Sequence, residues 1–307
     1  MTATGAAPAP RPRVFFGTPR KLPKPSSLPG RVVVLDIAFA AEGTGASFDK
    51  VTAPFIAGLG DRLAMWIDHH DHDLHERYVT DPRFVLARKR DHGACPEMVT
   101  EAIVQRVGVV ESVVCHNDLD GLYSAAKWLR GGREPYEGAD ADARVVDTCT
   151  GTASPLGNTL DHALRAEPKN DDLRARIVAF LADGARDAAA RNDFEQTARG
   201  FAERAENART LAAGYERRGA LAIVDASGFV QRVGTFDKTE ALLLGQKLAP
   251  VAVVFDESTV TLAAAFESGI DLIKLLSLPG GMPTRVSVPR ARLADVLALA
   301  DRIPHTA

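Results

Sequence analysis

Two short stretches concentrate the residues able to do chemistry. Cys115-His116-Asn117-Asp118-Leu119-Asp120-Gly121-Leu122-Tyr123-Ser124 contains a His-x-Asp-x-Asp-Gly turn, and Ile67-Asp68-His69-His70-Asp71-His72-Asp73 gathers three histidines and three acids within six residues. In extended chain, residues two apart point the same way, so His116, Asp118 and Asp120 converge if the strand continues through them. An imidazole packed against two carboxylates desolvates badly unless a cation neutralises the group, and such mixed ligands suit Mn²⁺ or a similar divalent ion. The plain alternatives are a polar turn capping a helix for the first stretch and a solvated charged loop for the second. A third element is Asp36, the single acid closing Val32-Val33-Val34-Leu35. Alone it reads as a cap or loop acid. Beside the other two stretches it becomes a candidate bridge between two metals.

The elements that must carry these residues read as an α/β fold with a parallel sheet. Strands are expected at residues 31–35 running into Asp36, 63–67 into Asp68, 112–115 into His116, and 143–146 into Asp147. Helices are expected at 96–107, with Pro96 tolerated in the first turn, and at 122–129, closed by Gly131 and Gly132. In open α/β sheets, ligands bind beyond the carboxyl ends of the strands, where these polar clusters fall. Residues 31–166 are read as the metal-binding catalytic domain. Residues 1–30, rich in Pro, Ala and basic side chains, read as a tail or strap. Residues 167–218 read as a helical connector, with Leu173, Ile177, Phe180 and Leu181 at helical spacing. Residues 219–307 read as a smaller C-terminal α/β domain, with strands at 220–224, 251–255 and 259–266 and a closing helix from Arg290. No internal repeat is visible.

With 307 residues, 46% of them apolar, the chain can bury substantial cores, and two domains are expected. A formal net charge of -3 gives no broad positive field for a nucleic-acid backbone, which disfavours long duplex DNA as a partner. Cys95, Cys115 and Cys149 lack metal-pair spacing and read as thiols of a reducing compartment. No signal-peptide segment or membrane-spanning run is recognised, so a cytoplasmic location without membrane attachment is expected.

Asp68-His69-His70 together with His116-Asn117-Asp118-Leu119-Asp120-Gly121 resembles the DHH phosphoesterase family, which includes RecJ-type exonucleases, oligoribonucleases, dinucleotide phosphodiesterases, exopolyphosphatases and family II pyrophosphatases. In that family the Asp-x-Asp strand comes first; here Asp36 and Asp68-His69-His70 precede it, a permuted order. The resemblance implies hydrolysis of phosphodiester bonds in small nucleotides or short oligonucleotides by a water activated by two Mn²⁺ ions, or by Mg²⁺ or another divalent cation. It implies that His116, Asp118 and Asp36 hold one metal, and Asp120, Asp36 and His69 the other. His70 would face substrate phosphate, with Asp68 behind it. The family's further carboxylate is assigned to Asp147, with Asp183 as the runner-up.

The C-terminal loop Pro279-Gly280-Gly281-Met282-Pro283-Thr284-Arg285 occupies the place of the family's glycine-rich substrate loop, without its third glycine and histidine. Gly280 and Gly281 would let backbone amides approach a phosphate, with Arg285 pairing to it; the alternative is a β-turn. His92, ahead of a predicted helix, either contacts phosphate or caps that helix. Two competing functions are an inorganic pyrophosphatase or exopolyphosphatase using the same metals, and a catalytically silent nucleotide-binding regulator. A homodimer is compatible with this reading.

Overall fold

The computed structural model describes residues 11–41 and 46–303. The first half supplies β1 (Arg13–Gly17), β2 (Val32–Leu35), β3 (Leu63–Asp68), the two-residue β4 (Asp71–His72), β5 (Phe84–Leu86) and β6 (Ser112–His116). All but β4 form one parallel sheet in the order β1-β6-β2-β3-β5. All four residues of β2 are buried, as a parallel strand covered on both faces requires, which is why Val32-Val33-Val34-Leu35 shows no polar alternation. Val33, Leu35, Met65, Ile67, Val113 and Cys115 pack to one side, while Val32, Val34, Leu63, Trp66 and Val114 pack to the other.

Helices α1 (Ala53–Leu59), α2 (Glu101–Val107), α3 (Leu119–Leu129), α4 (Ala139–Thr148), α5 (Pro155–Ala166) and α6 (Asp171–Ala182) accompany this sheet. The helix expected at 96–107 divides: Pro96 sits in a 3-10 turn, Cys95–Met98, and α2 begins under a Thr100 cap. The strand expected at 143–146 is instead part of α4. Ala139, Ala143 and Val146 form an apolar stripe at helical spacing against the core, and Asp140 and Asp142 in the first turn suit the positive end of the helix dipole. Leu173, Ile177, Phe180 and Leu181 of α6 belong to the same core.

Part of the expected tail is also ordered into the sheet. Residues 1–10 lie outside the described residues, but 13–17 form β1, paired in parallel register with β6 from Arg13–Ser112 to Gly17–His116. Val14 and Phe16 pack on one face and Phe15 on the other, apolar burial that offsets the ordering entropy.

Helices α7 (Ala188–Ala198) and α8 (Phe201–Ala212) lead to a second sheet. Its strands are β7 (Glu216–Arg218), β8 (Leu221–Asp225), β9 (Val251–Phe255), β10 (Thr259–Ala264) and β12 (Arg285–Pro289), in the order β12-β10-β9-β8-β7. Only β8 and β9 run parallel. This sheet has its own core around Leu221, Val253, Leu262 and Val288. It is flanked by α9 (Phe229–Arg232) and α10 (Lys238–Gln246). A remaining strand, β11 (Gly280–Gly281), leaves it to pair with β4. Among the described residues, no helix is long and apolar enough to cross a membrane.

Candidate metal centre and its cleft

Reading across the sheet from β6 through β2 and β3 to β5, the carboxyl ends present His116, Asp36, Asp68-His69-His70 and, just beyond β5, Lys89. Adjacent parallel strands lie about 4.8 Å apart, so their last side chains meet without any long reach. Asp36 takes a left-handed backbone conformation with φ 59°, which aspartate tolerates better than most residues, and its amide donates to Ile67 O at 2.8 Å. An uncommon conformation held at this point aims the carboxylate across the strand ends.

The strand bearing His116 stops there, so Asp118 and Asp120 do not arrive by strand alternation. Asp118 caps α3, accepting from the Gly121 amide at 3.1 Å, and Asp120 sits in the first turn. Gly121 is required by close approach, since a Cβ there would meet His116 O at 2.4 Å. Asp120 is 2% exposed and accepts from the Cys95 amide at 3.1 and 3.2 Å.

The cluster is tight. His69 Nε2 lies 3.2 Å from Asp36 Oδ1, 3.2 Å from Asp120 Oδ2 and 3.5 Å from Asp147 Oδ2. Its Nδ1 lies 2.8 Å from His92 O, an acceptor that fixes a proton on Nδ1 and turns Nε2 toward the acids. His116 Nδ1 is 2.6 Å from Asp118 Oδ2 and 3.7 Å from Asp36 Oδ2. His70 Nδ1 pairs with Asp68 Oδ1 at 2.8 Å and stands 3.9 Å from Asp36 Oδ1. Despite these approaches, both Asp36 oxygens and His116 Nδ1 are buried with no contact of hydrogen-bond geometry. Buried polar atoms are ordinarily satisfied, so their convergence here fits a cation between them. Asp36, His116 and Asp118 offer ligand atoms within 4.8 Å of one another, as do Asp36, His69 and His70, and His69, Asp120 and Asp147.

The electrostatics agree. Burial, with the charges of Asp120 and Asp118, pushes the Asp36 carboxyl well above its ordinary range. Burial and Lys89 work against a charged His69, but its contacts with Asp120 and Asp36 outweigh them and raise it to about 10. Burial opposes a charged Asp68 as well, yet the His70 ring beside it holds that carboxyl at about 2. Shifts of opposite sign crowded into one cleft mark functional sites more often than structural ones.

Asp147 reaches the cluster from the last turn of α4, not from a strand end. Asp183 does not reach it: it ends α6, is exposed, and pairs with Arg11 at 2.7 Å. The His92 ring lies 3.5 Å from Glu97 and not in the cleft; its carbonyl is what serves the site. Gly280 and Gly281 pair with His72 and Asp71 and are absent from the cleft lining. Gly280 answers to packing, because a Cβ would meet His72 Cδ2 at 2.5 Å and Asp71 O at 2.6 Å. Lys89 is the site residue that motif reading misses. It is 1% exposed, its Nζ bonds to Asp147 Oδ2, and it lies 3.2 Å from His69 Nε2. Burial lowers its pKa, against the pull of Asp120 and Asp36.

Beside the cluster opens a cleft of about 590 Å³, lined by His70, His116, Asp118 and Asp120 from the first sheet's side and by Asp237 and Arg285 from the second. Burial lowers the Arg285 pKa, and its Nη2 donates to Thr239 Oγ1 at 3.0 Å. Fold and site together define an α/β protein with a carboxylate and imidazole cluster at the carboxyl ends of a parallel sheet. No protein-family model and no curated protein matches the chain. Among solved structures, it is similar to a pGpG-specific phosphodiesterase, PggH from Vibrio cholerae, at 11% identity and TM-score 0.42, covering 89% of this chain and 98% of that one. It is also similar to the exonuclease RecJ bound to manganese, at 14% identity and TM-score 0.45, covering 89% of this chain and 76% of that one.

Proposed function

We propose that the chain is a divalent-metal-dependent phosphoesterase of the DHH type that hydrolyses phosphodiester bonds in small nucleotides or short oligonucleotides. The observation that carries this reading is the meeting of Asp36, His69, His116, Asp118 and Asp120 around buried Asp36 oxygens that have no hydrogen-bond partner. Asp36, His116 and Asp118 would hold a cation, and manganese suits this mixed oxygen and nitrogen set. The bound ion would supply positive charge to phosphate oxygens and make water a stronger nucleophile near neutral pH.

The chain's own residues do the rest. Asp68 accepts from His70 Nδ1, orienting the ring and supporting an imidazolium if the other ring nitrogen takes up a proton. His70 lines the cleft, where that proton would come from the attacking water. Arg285 has no acidic partner within salt-bridge distance among the described residues, which leaves its guanidinium free to engage a substrate phosphate. Residues 31–166 would thus carry the reaction, residues 219–307 would grip the distal part of the substrate, and 167–218 would join them. A cleft of about 590 Å³ matches a small nucleotide.

The test is manganese-dependent turnover of bis-p-nitrophenyl phosphate, a linear dinucleotide, a five-nucleotide RNA, a cyclic dinucleotide and pyrophosphate, with Asp120→Ala as control. Diester cleavage lost in the variant supports the proposal. Cleavage of pyrophosphate alone would make the chain a pyrophosphatase. Metal binding without any turnover would make it a nucleotide-binding regulator.

A further inference from the structure

One side of the cluster already contains a cation. Lys89 follows β5 by three residues, and its side chain runs inward until only 1% of the residue is exposed. The Nζ bonds to Asp147 Oδ2 and stands 3.2 Å from His69 Nε2. The same nitrogen of His69 is 3.2 Å from Asp120 Oδ2 and 3.5 Å from Asp147 Oδ2. The ammonium therefore lies against His69 and Asp147, two members of a set with Asp120 whose ligand atoms are close enough to one another to bind an ion. A charged lysine is a compact cation with three donors and no acceptor, so it bonds the Asp147 carboxylate directly but gives a metal nothing to bind.

The lysine is not a loose side chain folded in by chance of rotamer. Its backbone amide donates to Asp71 Oδ2 at 3.2 Å, and Asp71 belongs to β4, which is clamped by β11 from the C-terminal part of the chain. The other side of the cluster differs. No lysine or arginine forms an ion pair with Asp36 or Asp118 among the described residues, and Asp36 keeps both oxygens without a hydrogen-bond partner.

We propose that Lys89 takes the place of the second metal, so that the chain binds one divalent ion, on Asp36, His116 and Asp118, and completes the positive charge of the site with a tethered ammonium. This rests on the reading of the cluster as a metal centre and revises its two-ion form. The tethered charge cannot be chelated away, so activity follows the occupancy of a single ion.

The experiment counts metal on the full chain. After equilibrium dialysis against saturating Mn²⁺, elemental analysis is expected to give one manganese per chain, with the six-line paramagnetic resonance spectrum of an isolated ion. Lys89→Ala is expected to raise the count to two and to broaden the spectrum by coupling between neighbouring ions. Two manganese ions on the wild type would overturn the proposal without recourse to any variant. A folded Lys89→Ala chain that still takes one would overturn it as well. No bound manganese at all would sink the metal-centre reading itself, and this inference with it.

Discussion

Where α5 meets α10, Arg165 donates to both oxygens of Asp237, at 3.1 and 2.7 Å, and to Asp161 at 2.8 Å. Asp237 also caps α10 by accepting from the Glu240 amide at 2.7 Å. At the end of β2, buried behind His116 and Asp118 of the same cleft, Asp36 has two buried oxygens and no hydrogen bond to either. Both regions bury aspartates, but the first matches them with protein donors and the second brings more acids together than the chain has cations to match. A buried charge that is fully paired holds two parts of a fold in register; one left unmatched is stable only when something binds it. The junction is therefore read as architecture and the strand ends as a site.

The sharpest way to break that contrast is to remove Asp36. Asp36→Ala should lower turnover in the phosphodiester panel roughly a thousandfold or more, the scale on which one major electrostatic contributor acts. It should leave the chain folded and no less stable without metal, because it deletes an unsatisfied buried acid. A variant that loses activity only by unfolding, seen as lost circular dichroism, would place Asp36 in the architecture instead.

Metal should then stabilise one region and not the other. A ligand that binds only the folded chain adds about 2.7 kcal/mol at a hundred times its Kd. Mn²⁺ at that level should raise the melting temperature of the wild type and of Asp237→Ala alike, and leave Asp36→Ala unmoved. Equal shifts in all three would show that manganese binds elsewhere.

Asp237→Ala tests the other arm. Breaking a largely buried ion pair while removing a helix cap should cost about 2–3 kcal/mol in chemical denaturation, with Asp161 still available to Arg165. The manganese count should not change. A variant of normal stability that bound less metal would move Asp237 from the junction into the site.

Much of this contrast is readable in the chain itself, and the exceptions share a cause. Val32-Val33-Val34-Leu35, Leu63-Ala64-Met65-Trp66-Ile67 and Ser112-Val113-Val114-Cys115 are continuous apolar runs ending in chemistry-bearing residues, so β2, β3 and β6 and their polar ends follow from local pattern. What local pattern misses is set by distant partners. Ala143-Arg144-Val145-Val146 is β-branched enough to read as a strand until Ala139 supplies the rest of a helical stripe. Val14-Phe15-Phe16 is hidden in a Pro-rich stretch and becomes β1 only because β6 offers an edge. Gly280 looks like part of a phosphate loop and is a strand residue held against His72. Lys89 stands in a basic run, Arg88-Lys89-Arg90, that resembles any solvated surface until the fold turns one of the three side chains inward.

The smallest effect separates the two regions by their response to acid. Burial tends to raise the Asp237 carboxyl, but the Arg165 guanidinium outweighs it and holds it below its ordinary value. A carboxyl lower in the folded chain than in the unfolded one contributes its stability fully above the unfolded value of about 3.9, and loses it as pH falls through the folded value. Asp237→Asn keeps a capping oxygen on α10 and removes only the charge, so it isolates this contribution. Below about pH 4 the stability of the wild type should fall more steeply than that of the variant. The difference in slope can reach about 1.4 kcal/mol per pH unit, the limit for one proton. Denaturant titrations at half-unit steps from pH 6 to pH 3 measure it, and carboxylates common to both chains, Asp68 among them, cancel in the comparison. Parallel curves would mean that the Asp237 charge is as well accommodated in the unfolded chain as beside Arg165. The junction would then hold by geometry and capping alone, and its difference from the metal cluster would lie in hydrogen bonds satisfied, not in charge matched.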